Sequence, residues 1–419
     1  MIANLMSPLL SPTSLLSRKT VLAAVALLAV AIALPAQALP RMTLLAGSRC
    51  SNCHVNPQGS GLRGDLGWYS MNQVGMVTWD KLGLQSLHDI ESNTWLDGKL
   101  LFGFDSRLQV AKLPTTNETT GEKGYRRLAI PMQSQPSVAF SPQPWLTALA
   151  SVNLSSLGVE FDPPPYKAYR YPGQSHYEAW LRLQPDYTWP TLRVGMLQPS
   201  FGIRHDDHTM LLRADARFPR QPRLAPNWND LGAEVSYEGV HWLSAEVAAF
   251  MPKNLTESAN LANAEGVKPK LGTSARVTFW PQWMEEGINS YVGASILRAG
   301  AMDMHGLHLG VGKSYWGTFI GELVHTMEET AAGDTKVSMN WMAQVGYPAA
   351  DWLTLEARYE AANTEEKFGI KTRTYDSDAF VLGAQWFPVP FVELRPEYRL
   401  ARTKEYTFGQ YALQLHLFF

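Results

Sequence analysis

Between about Gly98 and Phe419 the chain alternates apolar and polar residues in short runs separated by turn-rich breaks. A period of two with apolar residues on one side predicts strands. Candidates lie near 98–112, 125–140, 145–158, 175–188, 191–198, 230–238, 241–250, 270–280, 287–298, 303–313, 316–327, 336–346, 352–361, 376–387, 391–400 and 406–419. That is about sixteen, an even number of the size expected for a closed barrel with an aqueous lumen.

The breaks alternate in length. Short ones fall at 141–144, 188–190, 238–240, 281–286, 314–315, 348–351 and 388–390. Longer ones lie around 113–124, 159–174, 199–229, 251–269, 328–335 and 362–375, with the links near 299–302 and 401–405 as the weak cases. Outer-membrane barrels pair short periplasmic turns with longer outer loops, so this parity puts both ends of the barrel in the periplasm. Trp145, Trp189, Trp242, Trp280, Trp283, Trp316, Trp352 and Trp386 sit at or beside the short turns, as an interfacial aromatic girdle does. In the last run Tyr411, Leu413, Leu415, Leu417 and Phe419 alternate with Gln410, Ala412, Gln414 and His416, an ending that resembles the terminal strand read by bacterial barrel-assembly machinery. A soluble β-propeller would carry a repeated blade motif, and none is present. The expectation is an all-β chain, a transmembrane antiparallel β-barrel of about 16 strands over residues 96–419.

Alternation then assigns the lumen. Glu356, Arg358 and Glu360 share one side of a strand, and Glu393, Arg395, Glu397 and Arg399 share one side of another. An Arg or Lys facing lipid at the bilayer midplane costs about 2–4 kcal/mol, so these sides point inward. Glu178, Arg182, Arg193, Glu234, Glu246, Arg276 and Glu322 add to a mixed-sign interior, expected to form cross-strand ion pairs that hold the wall. A net charge of −2 with 11% aromatics suits such a protein and offers no basic excess for nucleic acid.

Ahead of the barrel, Arg18 and Lys19 precede an apolar run from Val21 to Leu34 and then Ala36-Gln37-Ala38. This is the layout of a secretory signal peptide over residues 1–38. The segment 39–95 that follows is too short for a large core unless a cofactor or another body completes it. It contains both cysteines of the chain, in Cys50-Ser51-Asn52-Cys53-His54, the attachment pattern of c-type haem. Two thiols at this spacing can bond the two vinyl groups of one haem while the adjacent imidazole reaches the iron as proximal ligand. A redox disulfide would want a βαβ context and a zinc site a fourth ligand from a second cluster, and neither is visible. The haem segment is expected to face the periplasm or to plug the barrel lumen.

The second axial ligand is open between Met71 and Met76, with Met42, His88 and an unfilled position as further options. The long break at 199–229 contains His205, Asp206, Asp207 and His208, then Arg213, Arg217, Arg220 and Arg223. Its expected role is a solvated ion-paired loop or a constriction. The four residues 205–208 also have the chemistry to receive a metal ion such as ferrous iron.

Cys50, Cys53 and His54, the strand count and the terminal Phe419 together resemble the fused outer-membrane cytochrome–porins, best known from iron-oxidising bacteria. The resemblance implies one covalently attached haem c and a single-haem electron conduit across the bacterial outer membrane. Electrons would pass between an extracellular donor or acceptor and a periplasmic electron-carrier cytochrome. Such a chain is an electron-transfer protein rather than a conventional enzyme, or at most a metal-oxidising oxidoreductase. The rival expectation is a diffusion porin with a haem-bearing periplasmic appendage that senses, anchors or stabilises. The hydrocarbon layer is roughly 30 Å thick, too far for one hop from its periplasmic edge, so a conduit needs its haem well inside the lumen. No Ser/His/Asp spacing supports a barrel hydrolase.

Overall fold

The computed structural model describes residues 40–59, 61–90, 92–116, 123–157, 175–205, 207, 210–216, 218–225, 228–259, 269–283, 287–329, 333–403 and 407–419. Residues 1–38, the expected signal peptide, and Asp206, His208 and Arg217 lie outside them. Among the described residues, sixteen long strands form one antiparallel sheet: β1 Leu100–Thr116, β2 Lys123–Gln143, β3 Leu146–Val152, β4 Tyr177–Leu183, β5 Thr191–Leu197, β6 Asp230–Val240, β7 Leu243–Met251 and β8 Gly272–Phe279 make the first half. The second half is β9 Ile288–Ala299, β10 Met302–Lys313, β11 Gly317–Glu329, β12 Thr335–Ala350, β13 Leu353–Phe368, β14 Lys371–Val389, β15 Val392–Thr403 and β16 Thr407–Phe418.

The sheet closes on itself. β1 pairs with β16, Asp105 opposite Phe418 and Lys112 opposite Tyr411. The N–H of Phe419 donates to the Phe104 carbonyl at 2.9 Å and the N–H of Phe104 returns the bond at 3.1 Å, so the terminal residue completes the seam. Closure leaves no unpaired edge, which a spanning sheet requires.

Side chains sort by alternation. Leu181, Val194, Val235, Val247, Val277, Val292, Leu307 and Leu413 are exposed on the outside, an apolar belt of an extent that only lipid or another protein covers. Arg193, Glu234, Glu246, Glu322, Arg358, Glu360, Glu393 and Arg399 are buried on the inside. Arg276 pairs across strands with Glu246 at 2.8 Å, as expected, whereas Glu322 pairs at 3.2 Å with Arg213 from the β5–β6 connection rather than with a neighbouring strand.

Two expectations need correction. The break at 362–375 is strand, because β13 and β14 run on to a tight turn at Gly369 and Ile370. Its polar composition hides the alternation, but the backbone ladder continues from Ala362 opposite Ser377 to Phe368 opposite Lys371, with Asn363 bonded to Asp376 at 2.6 Å. Trp280 and Trp352 are not girdle residues: they pack against buried clusters inside the mouth, whereas Trp145, Trp189, Trp242 and Trp316 are exposed.

The N-terminal segment fills the end of the barrel that carries the short turns. Helix α1, Pro40–Ala46, lies against β9, β10 and β11, where Asn289 and Ser314 donate to the carbonyls of Leu44 and Leu45. Arg49 donates to the carbonyls of Glu238 and Val240 at the β6–β7 turn, at 3.1 and 2.7 Å. Val55 and Leu62 pack with Ala139, Leu149, Trp180 and Leu197 on β2 to β5. Trp68 stacks on Phe391 at 4.5 Å, and Met71 and Val74 join Phe387 and Phe418. Met76 and Val77 donate to the carbonyls of Phe387 and Pro388. The segment thus meets β9–β11, β6, β2–β5 and β14–β16 in turn, most of the circumference.

The connection from β5 to β6 enters the lumen from the other end. Phe201, Met210, Leu212 and Trp228 join inward-facing Leu297, Met302 and Ile320 in one buried cluster that also takes Leu44. Backbone N–H groups of Leu211 and Ala216 donate to Glu360 and Thr364 on β13 at 2.7 and 3.0 Å. Arg223 bonds Ser338 at 2.9 Å and pairs with Glu328. Of the two expected roles, a solvated ion-paired loop or a constriction, the described part of the loop takes the second: it packs into the lumen.

Candidate functional site

Cys50 to Cys53 form a single helical turn, α2, with the N–H of His54 donating to the Cys50 carbonyl at 2.9 Å. The chain then turns back, His54 bridging to Arg63 and the N–H of Val55 donating to Leu62. Gly59, at φ +83°, lets this hairpin return under α2, close enough that a Cβ there would lie 3.5 Å from Cys50 Cβ. Helix α3, Asp65–Asn72, follows and packs on α2 through Gly67, where a Cβ would stand 2.3 Å from the Cys53 carbonyl oxygen. Both thiols are free and partly buried. Burial pushes the Cys50 thiol up to about 11, with Arg276 opposing and Glu238 adding. Burial also pushes the Cys53 thiol up, against Arg63.

Cys50 lines a partly open cavity to which Cys53 and His54 do not contribute. Pro57, Ile203, Trp280 and Tyr291 give it apolar and aromatic walls, Arg49, Arg204 and Arg276 supply guanidinium groups, and His308 closes one side. Its walls come from the plug, the inward loop and the barrel together. The donor set on the helical turn, two free thiols with an imidazole directly behind them, is the one haem c takes; the cavity beside Cys50 also holds Glu238 and Glu246, and its Arg276 pairs with Glu246 at 2.8 Å.

Plug and wall are locked together above this point. Arg193, fully buried, donates to Asn56 Oδ1 at 2.9 Å and pairs with Glu234. Glu234 also accepts from the N–H and hydroxyl of Ser200, both at 2.8 Å, while Gln58 donates to Ser200 Oγ at 2.7 Å. One buried cluster therefore joins plug, wall and inward loop.

The other sequence candidates are dispersed. Met71 is 2% exposed within the apolar cluster of Val74, Phe387 and Phe418, and Met76 is 42% exposed. Neither lines the cavity, nor does His88 at the end of α4, Gln85–His88; the Met42 side chain lies outside the described residues. His205 bonds Glu322 on β11 at 2.8 Å, whereas Asp207 pairs with Arg358 on β13 at 2.6 Å. Asp206 and His208 lie outside the described residues, and among those described no three His, Cys, Asp or Glu side chains gather as a metal site. Sequence reasoning missed Tyr291, His308 and Trp280 as cavity residues. The signal was small residues on the His308 side of β10: a Cβ at Gly312 would meet Leu44 Cβ at 2.8 Å, and one at Gly306 would meet Phe201.

No family model and no curated protein matches the chain. Among solved structures, it is similar to the outer membrane channel DcaP of Acinetobacter baumannii, with a TM-score of 0.51 at 10% identity over 76% of this chain and 97% of that one. OprB of Pseudomonas putida gives 0.49 at 12% identity over 82% and 98%, and the anion-selective porin of Comamonas acidovorans 0.49 at 11% over 76% and 98%. The chain is an outer-membrane β-barrel with the fold of known porins. At these identities the likeness is one of fold alone.

Proposed function

We propose that the protein carries single electrons across the outer membrane through one haem c attached at Cys50 and Cys53 and ligated by His54. The observation that supports this reading is the place of the Cys50–Cys53 turn in the plug. Ser51 donates to Glu238 at 2.7 Å and Arg49 to the Glu238 and Val240 carbonyls at the β6–β7 turn, so the turn is held at the short-turn mouth, while the hairpin behind it reaches up the wall to Leu197.

Haem c, when bound, supplies a one-electron iron couple. Cys50 and Cys53 would hold the group through their thiols and His54 would ligate its iron, while Trp280 and Tyr291 beside Cys50 would keep water from it. The plug end faces the periplasm in this reading and meets a periplasmic electron carrier, while the inward loop faces an extracellular donor or acceptor such as ferrous iron.

A second reading, a diffusion porin with a haem-bearing appendage, draws on the fold it shares with the DcaP channel. Proteoliposomes loaded with an oxidised redox dye and given an impermeant external reductant separate the two. The conduit reduces trapped dye, and Cys50→Ala abolishes this. Unchanged dye reduction in Cys50→Ala, or free passage of the dye itself, overturns the conduit; passage alone favours the porin.

A further inference from the structure

We propose that residues 82–96 form a membrane-interface foot, whose apolar side chains enter the phospholipid leaflet at the short-turn end of the barrel. Six apolar side chains, Leu82, Leu84, Leu87, Ile90, Trp95 and Leu96, are exposed within this one stretch between the plug and β1. Trp95 is 69% and Leu96 64% exposed. So much apolar surface in so short a stretch calls for a cover.

Both ends of the stretch are fixed to the rim. The N–H groups of Met76 and Val77 donate to the Phe387 and Pro388 carbonyls, at 2.8 and 3.1 Å, where β14 gives way to β15. At the other end Asn93 donates to the Phe102 carbonyl at 2.7 Å, and Thr94 and Trp95 pair with Leu101 and Leu100. Strand pairing sets β15 and β16 between those two points, so the stretch crosses their short-turn ends. Trp68 stands at the crossing, edge-on to Phe419 at 6.1 Å and donating its indole N–H to the Ile90 carbonyl at 3.3 Å.

Continuity with the lipid-facing belt identifies the cover. On β1 the inward side is Asp105, Arg107 and Gln109, so Phe102, Leu108 and Val110 face outward and are exposed. Trp95 meets Phe102 edge-on at 5.9 Å, and its cross-strand partner Leu100 lies in the same row. The lipid-facing row of β1 therefore continues into Trp95, a side chain suited to the headgroup level. Among the described residues of the stretch and its flanks, Lys81 and Lys99 stand beside Asp80, Asp89 and Asp97, a mixture without the single-sign field that steers a charged protein partner.

Leu96 adds a second observation. It has φ +52° and is followed by Asp97 at φ +56°, the left-handed region that turns ordinarily give to Gly or Asn. In water a leucine there combines backbone strain with an exposed side chain; burial of that side chain in the interface offsets both. The foot holds the plug at a fixed depth and does not depend on the haem reading.

The test reconstitutes the full chain in phosphatidylcholine vesicles, dilute enough that each holds a single barrel, with a phospholipid carrying a diazirine near the glycerol end of one acyl chain. Carbene insertion, mapped by mass spectrometry, is expected at residues 82–96 at least about tenfold above residues 55–62, which pack on the lumen wall. Leu84→Asp with Leu87→Asp is expected to lower insertion at 82–90 by about tenfold while the heat-dependent mobility shift of the folded barrel persists. Should that variant fail to fold, the map of the unmodified protein decides alone. Insertion at 82–96 no higher than at 55–62 overturns the proposal, as for a surface that waits in water for a protein. Cross-links between copies through 82–96 at raised protein-to-lipid ratio, without lipid insertion in dilute vesicles, overturn it in favour of a second copy.

Discussion

Glu234→Ala is the sharpest perturbation of the plug, because Glu234 is the acceptor that plug, wall and loop share. Glu234 is 1% exposed and Arg193 fully buried. Removing the carboxylate leaves the guanidinium with Asn56 Oδ1 and strips Ser200 of two bonds. Breaking one side of a buried ion pair costs about 3–5 kcal/mol. The penalty falls on the docked state, since undocking the hairpin 54–63 lets water reach Arg193. Docking should therefore weaken by between about a hundredfold and several thousandfold. Native-state hydrogen exchange reads this at the amides of Val55 and Gly64, which donate to Leu62 and Cys53. Planar-bilayer recording reads it as open-channel events absent from the parent. Replacing both partners, Arg193→Met with Glu234→Met, should recover most of the protection, because no charge is then stranded. Protection that falls less than tenfold in Glu234→Ala, or falls equally in the double variant, would refute the reasoning.

Leu44→Ala should cost about 2–5 kcal/mol as a large-to-small change at a fully buried site. Limited proteolysis should then cleave within 40–60 while the heat-shifted mobility of the barrel stays as before; equal resistance of parent and variant argues against α1 as an anchor. In protein made without haem, Cys50 should alkylate about a hundredfold more slowly at pH 8 when folded than when unfolded, because a thiol at about 11 rather than 9.0 is a hundredfold less ionised there. The folded chain holds this proton more tightly than the unfolded chain, so its stabilisation is complete below about pH 9 and lost as pH rises toward about 11. A folded rate matching the unfolded one at pH 8 would contradict the buried placement of Cys50.

The strands were readable because charge decides which side of an alternating run faces lipid. Glu356, Arg358 and Glu360 on β13 cannot face hydrocarbon, and all three are buried inside. Where both sides of a strand are apolar, period two groups residues without saying which group is inside. Leu297, Met302, Met304, Ile320 and Val324 face a lumen that alternation alone would fill with polar groups. Their partners, Phe201, Met210 and Trp228, come from a loop whose path no local pattern specifies. The same limit hid Trp280, which sits beside a short turn like a girdle residue and turns inward because Tyr291 is there, 5.3 Å away. Cys50, Cys53 and His54 make a local motif that the sequence shows by itself. The surroundings of the motif are not legible in this way, since Tyr291 and His308 reach Cys50 only through barrel closure and plug docking.

A sixteen-stranded barrel left open holds an aqueous channel, and a diffusion porin depends on that opening. Here the lumen is entered from both ends, by the N-terminal segment along most of the short-turn mouth and by the β5–β6 loop from the other side. The two bodies meet at Gln58 and Ser200, directly on the ion pair that fixes them to the wall. An apolar cluster spanning loop, wall and Leu44 fills part of the lumen interior with dry volume. Low dielectric and exclusion of water are what a bound redox centre needs to hold its potential. Solute passage and cofactor insulation make opposite demands on one barrel, so conductance of the intact protein and of Glu234→Ala separates them: closed in the first and open in the second is the behaviour of a barrel built around what the plug holds.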